Sequence, residues 1–163
     1  MIVVSNTSPI LYLLLIGQLD LLPQLYSQAI IPDVVQDEML ALGAPERLQQ
    51  WIANPPSWLT VQTTNTVDET LTALDPGEQA AITLAQEIQA DLLLIDERRG
   101  RRAARDRGLR LIGVLGVLDD AADRGLIDLA DAIFQLQQTN FRVSARLLQA
   151  LLRSNPSKGS SPI

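Results

Sequence analysis

The stretch LLLIDERRGRRAARDRGLRLI, residues 92–112, decides the fold. Its first four residues, Leu92–Ile95, form an unbroken apolar run, the pattern of a central strand buried on both faces. Glu97–Arg107 reads as a helix, and Gly108 stands where a left-handed C-cap belongs. Leu109–Ile112 is the next apolar run. Strand, helix and strand in such short compass describe a crossover, which places two strands parallel in one sheet.

The same alternation continues outward. Ile2–Ser5 is a β-branched run that reads as a buried strand, followed by helices over Thr7–Gly17 and Leu19–Tyr26. Ala29–Ile31 is a second strand, stopped by Pro32. Pro32 and Asp33 then open a helix through about Leu42, closed by Gly43. Pro45 and Glu46 start another that runs through Trp51, and Leu59–Gln62 is a further, weaker strand. Asp75-Pro76-Gly77-Glu78 is the clearest helix start, with Asp as N-cap, Pro at N1 and Glu at N3 completing a capping box; the helix runs to about Gln89. Helices near 115–124, 128–138 and 143–153 complete one domain over residues 1–153. Residues 154–163 (SNPSKGSSPI) have the composition of a disordered tail. The order predicts an α/β fold with a mostly parallel sheet covered on both faces.

Composition narrows the chemistry. The 163 residues contain no cysteine and no histidine, which excludes thiolate nucleophiles, Cys-based metal sites and imidazole bases. The single lysine, Lys158, lies in the polar tail, so no Schiff-base or phosphate-loop lysine is available. Carboxylates, hydroxyls, arginines and bound ions must carry any reaction. Residues 1–97 hold 13 acids against Arg47 alone, whereas residues 98–163 hold 12 bases against 6 acids. An acidic half joined to a basic one is suited to a cation beside a polyanion. The apolar run Pro9–Ile16 is far shorter than the ~20 residues a membrane span needs, and no basic residue precedes it, so a cytoplasmic location is expected.

Ligand sites of open parallel sheets gather at the carboxyl ends of the strands. Asn6 follows the first strand and Asp96 follows Leu92–Ile95, while Glu38 and Glu78 fall beside the apolar stripes of their helices. Converging carboxylates repel unless protonated or neutralised, and a hard cation with oxygen ligands, Mg²⁺ or Mn²⁺, resolves the conflict. Each position also has a local reading: Asn6 as N-cap of the helix at Thr7, Asp96 as N-cap of the helix at Glu97, Glu78 as half of its capping box, Glu38 as a solvated face. Asp119 and Asp120 read as helix-surface acids, with a contribution to the cation's ligands as the alternative. Arg98, Arg101, Arg102 and Arg105 share one side of a helix directly after Asp96, placed either to hold a phosphodiester backbone or to pair with Glu87, Asp91, Glu97 and Asp106. Aromatics are scarce, so base stacking is poorly supplied. No glycine-rich phosphate loop follows the first strand, which argues against a nucleotide-binding domain.

VVSNTSPI, IPDVVQDEM, LDPGEQAAITLA and LLLIDERRGRRAARDRGLRLIGVLGVL, in that order over about residues 1–150, resemble the PIN-domain nucleases, in the branch similar to VapC-like toxins of toxin–antitoxin systems. The resemblance implies a three-layer α/β/α sandwich and a Mg²⁺- or Mn²⁺-dependent ribonuclease. It carries the acidic pocket onto Glu38, Glu78 and Asp96, with Asn6 at the first-strand position and Thr7 and Ser8 as hydroxyls that position water or phosphate. Arg98, Arg101 and Arg102 then guide the RNA backbone. A homodimer and a cognate antitoxin are implied as partners, with no membrane. One departure stands out: the family usually has aspartate at the position of Asn6. An amide oxygen ligates a cation but brings no charge and cannot act as a base. The alternative is a PIN-like module, weakened or inactive, that binds RNA or a protein partner.

Overall fold

The computed structural model describes residues 1–66 and 68–154. Strands β1 (Ile2–Ser5), β2 (Gln28–Pro32), β3 (Leu59–Gln62), β4 (Leu92–Leu94) and β5 (Leu111–Ile112) form one all-parallel sheet in the order β3-β2-β1-β4-β5. The helices are α1 (Thr7–Leu15), α2 (Leu21–Leu25), α3 (Asp33–Leu40), α4 (Glu46–Ala53), α5 (Pro76–Glu87), α6 (Arg98–Asp106), α7 (Val114–Asp123), α8 (Leu129–Gln137) and α9 (Ala145–Ser154). A single 3-10 turn covers Glu69–Leu71.

Period-two alternation along the strands explains the three layers. Val3, Ala29, Ile31, Leu92 and Leu94 face one side and pack with buried residues of α1, α2, α3, α4, α7 and α8. Val4, Ile30 and Leu93 face the other and pack with α5 and Ala104 of α6. Leu93 and Leu94 are fully buried on opposite faces, so truncating either to alanine costs about 2–5 kcal/mol. The result is the α/β/α sandwich expected from the alternation.

Several boundaries differ from the sequence expectation. Pro32 does not stop β2; it is the last residue of the strand, in register with Gln62, and also the N-cap of α3. Its missing N–H is harmless at a strand end. The helix expected over Leu19–Tyr26 shortens to α2, and α3 ends at Leu40, before Gly43. Gly108 does close α6, with φ +75, a conformation glycine adopts without a Cβ penalty. The helix α9 reaches Ser154, one residue past the expected domain end; Val67 and the rest of the expected tail, 155–163, lie outside the described residues. No helix among the described residues is long and apolar enough to cross a membrane.

The chain runs outward from β1 through β2 to β3, then returns to lay β4 and β5 on β1's other side. The strand order therefore reverses between β1 and β4, which is where the crevice of such a sheet opens. Asn6 and Asp96 follow these two strands.

Candidate carboxylate site and its cleft

Asn6 occupies the N-cap position of α1 with extended backbone, yet its side chain makes no cap hydrogen bond. It is only 4% exposed, and its Oδ1 has no partner among the described residues. A buried acceptor left unpaired costs about 1–3 kcal/mol. The capping reading thus accounts for the backbone of Asn6 but not for its amide oxygen. The Asn6 N–H donates to the Leu94 carbonyl at 3.3 Å and ties the end of β1 to β4.

Asp96 does not cap α6 either; Glu97 takes that position, without a side-chain cap bond. The Asp96 carboxylate turns across the sheet edge and accepts from the Val114 N–H, 3.1 Å and 3.3 Å from its two oxygens. Val114 opens α7, so this carboxylate sits at the positive end of a helix. Burial pushes its pKa up to about 6, against the opposing pull of the Val114 N–H and the Arg101 guanidinium, with Glu97 adding to the rise.

Glu78 is the most deeply buried acid of the edge, at 7% exposure. Its N–H bonds Asp75 Oδ1 at 2.8 Å, the first half of the expected capping box. The reciprocal half is replaced: the Glu78 carboxyl meets the Asp75 carboxyl. Burial first, then Asp75, and then the charges of Glu97 and Glu38 push Glu78 up to about 8. Glu38, half-buried on α3, accepts from the Thr7 hydroxyl at 2.8 Å. Ser8 lies half-buried in the first turn of α1.

Three glycines hold these acids in place. A Cβ at Gly77 would collide with both Glu38 oxygens, reaching Oε1 at 2.5 Å. At Gly100 it would come within 2.8 Å of Glu78 Oε2, and at Gly113 within 2.5 Å of Asp96 Oδ1. Each carboxylate rests against backbone where an added Cβ would displace it. The sequence reading missed this signal, although all three glycines interrupt otherwise good helix starts (LDPGE, ERRGR, LIGVL). It also missed Glu97, whose charge acts on both Glu78 and Asp96.

The four oxygen donors fit a hard cation in kind, and the orphaned Asn6 Oδ1 is the atom most in need of one. As a set, however, Glu38, Glu78 and Asp96 are held apart, each by its own partner. Among the described residues, the three carboxylates with oxygens mutually within 4.8 Å are Asp119, Asp120 and Asp123 on α7.

Beside Asp96 opens a cleft of about 940 Å³. One wall carries Arg98, Arg102 and Arg105 of α6, exposed and, among the described residues, without ion pairs. Two of the four expected pairing partners are engaged elsewhere: Glu87 accepts from Asn65 and Thr66, and Asp91 from the Ile2 N–H. Arg101 is half-buried, lines the cleft and donates to the Ile95 carbonyl at 2.7 Å, so it also braces the β4 end. The opposite wall runs through Asn140 and Phe141.

A family model described as a PIN domain matches residues 2–156. No curated protein matches the chain, and no solved structure does.

Proposed function

The chain belongs to the PIN-domain family, whose members are generally nucleases, and on that premise we propose that it is a metal-dependent endoribonuclease, the toxin of a toxin–antitoxin pair. The observation that carries this reading is the Asn6 Oδ1, buried and unpartnered among the described residues, at the strand-order reversal where Asp96 also stands.

In this reading Asn6, Glu38, Glu78 and Asp96 hold Mg²⁺ or Mn²⁺. Such an ion supplies Lewis-acid charge at the phosphate and lowers the pKa of a water. The protein's own groups do the rest. Thr7 fixes Glu38 through its hydroxyl, with Ser8 one residue on to position water or phosphate. The Val114 amide and Arg101 hold Asp96 at the rim. Glu78, raised to about 8, and Asp96, raised to about 6, are placed to take up or release a proton near neutrality. Arg98 and Arg102 guide the polyanion, and arginine suits phosphate because its fork binds bidentately. A homodimer and an antitoxin that blocks the cleft complete the proposal.

The test is RNA cleavage in Mn²⁺ by the native chain, Asp96→Asn and Glu78→Gln. Loss in both variants supports the assignment; equal residual activity in all three ends it. The uncharged Asn6 favours a second reading, a weakened or inactive PIN-like module that binds RNA or a protein partner. Asn6→Asp separates the two, because a large gain in cleavage marks an attenuated enzyme and no gain marks a binding module.

A further inference from the structure

We propose that the cleft beside Asp96 is a subsite for one unpaired nucleobase, with Phe141 as its stacking surface and Asn140 as its hydrogen-bonding contact. The inference rests on the nuclease reading and adds to it what the site recognises.

The two walls of the cleft differ in chemistry. The α6 wall presents Arg98, Arg102 and Arg105, suited to phosphates, and Arg142 adds a further positive charge opposite. The other wall is aromatic and amide. Tyr12 and Phe141 stand edge to face with centroids 4.9 Å apart and planes at 80°, and both line the cleft while packing in part against the core. The Tyr12 hydroxyl donates to Asn140 Oδ1 at 2.8 Å. That bond uses the acceptor of Asn140 and turns its two N–H donors toward other partners. Burial, Glu97 and Asp96 raise the Tyr12 hydroxyl above its ordinary value, so it stays protonated and keeps donating. Two of the six aromatic residues, far apart in the chain, therefore meet within the cleft that ends at Asp96 and Glu97.

Phosphate, ring face and base edge are the three parts of a nucleotide, and the cleft offers a complement to each. A paired base has neighbours on both faces and a partner on its edge, so only an unpaired base can reach Phe141 and Asn140 together. An acidic peptide would satisfy the arginines but leave the aromatic and amide wall without a matching group.

The experiment measures binding by the full chain in EDTA, where turnover is blocked. The probes are a short single-stranded RNA of mixed sequence, the same RNA with an abasic site at each position in turn, a duplex of equal length, and a polyglutamate peptide. Expected are a preference for the single strand over the duplex and one sensitive position at which the abasic site weakens binding roughly 5- to 150-fold. Phe141→Leu erases that sensitivity while leaving the salt dependence, which reports on the arginines, unchanged. Phe141 is partly packed, so Asn140→Ala, at an exposed position, provides a second arm: it lowers the discrimination among the four bases at the sensitive position. An abasic scan flat at every position, discrimination untouched in both variants, or tighter binding of polyglutamate than of RNA each overturns the proposal. Failure here leaves Mn²⁺-dependent cleavage intact in Phe141→Leu, whereas failure of the nuclease reading leaves no cleavage by any version of the chain.

Discussion

Asp119, Asp120 and Asp123 bring three carboxylate oxygens within 4.8 Å of one another on the last turns of α7, closer as a set than Glu38, Glu78 and Asp96 come at the sheet edge. Proximity alone would favour the α7 group. The surroundings reverse that ranking. On α7, Asp120 and Asp123 are exposed, so water can screen their repulsion. At the sheet edge, Glu78 and Asp96 are buried enough to be pushed to about 8 and about 6, Asn6 Oδ1 has no partner among the described residues, and three glycines leave room for the acids. Charge that is held in a costly place, by contacts that serve nothing else, marks a site better than charge that is merely crowded.

The largest effect should separate these regions outright. Asp96→Asn should cut RNA cleavage by at least the roughly 10–100-fold that losing an outer-shell partner costs a metal site, measured as initial rates in Mn²⁺. Asp123→Asn should leave the rate unchanged. Equal losses would erase the distinction.

The glycines offer a second contrast. Gly77→Ala must drive Glu38 off its seat and away from Thr7, and misplacing one catalytic group by about 1 Å can cost up to ~100-fold in rate. Gly43 has open space around a Cβ, so Gly43→Ala should leave the rate intact and stabilise by up to about 1 kcal/mol through the unfolded state. Cleavage rates and thermal melts of both variants check this.

The pH dependence of stability follows from the two raised carboxyls. Glu78 and Asp96 bind protons more tightly folded than unfolded, so the folded state gains from them at low pH. That contribution is complete below their ordinary values near 4. It is lost as pH rises to about 6 for Asp96 and about 8 for Glu78. Glu78→Gln should therefore raise Tm at pH 8, by about 2–4 °C for each kcal/mol of relief, and flatten the decline between pH 5 and 8. Added Mn²⁺ should raise the Tm of the native chain more at pH 8 than at pH 6, because cation and proton compete for the same oxygens. A Tm insensitive to Mn²⁺ at both values would count against the carboxylates as ligands.

The smallest effect lies outside the carboxylate edge. The Tyr26 hydroxyl is also buried without a hydrogen-bond partner among the described residues, in a ring 5% exposed and subject to the charge of Asp120. Tyr26→Phe should leave cleavage unchanged and stabilise by up to about 1 kcal/mol, since it removes an unsatisfied group and little else. Thermal melting beside a cleavage assay would show whether an orphaned polar atom matters only where acids surround it.

Most of the fold was readable along the chain. Leu92–Ile95, Gly108 and the Asp75 cap announced their elements because apolar period, chain reversal and capping each depend on residues a few positions apart. The boundary errors at Pro32 and Leu40 arose where neighbouring strands and helices, not local preference, decided where an element stops. The acids were readable as candidates from their places after strands and beside apolar stripes. Their partners were not. Nothing near Asp96 in sequence names the Val114 amide, and nothing near Glu38 names Gly77.

The chain by itself determined an order of alternating strands and helices, a chemistry without thiols or imidazoles, and a segregation of acid from base. These are properties of composition and short-range pattern. Tertiary structure decided that β1 lies beside β4, that Thr7 meets Glu38 across 31 residues, and that Tyr12 meets Asn140 across 128. Such contacts form only after the sheet has chosen its strand order, because a side chain's burial and partners depend on what the rest of the polymer packs against it.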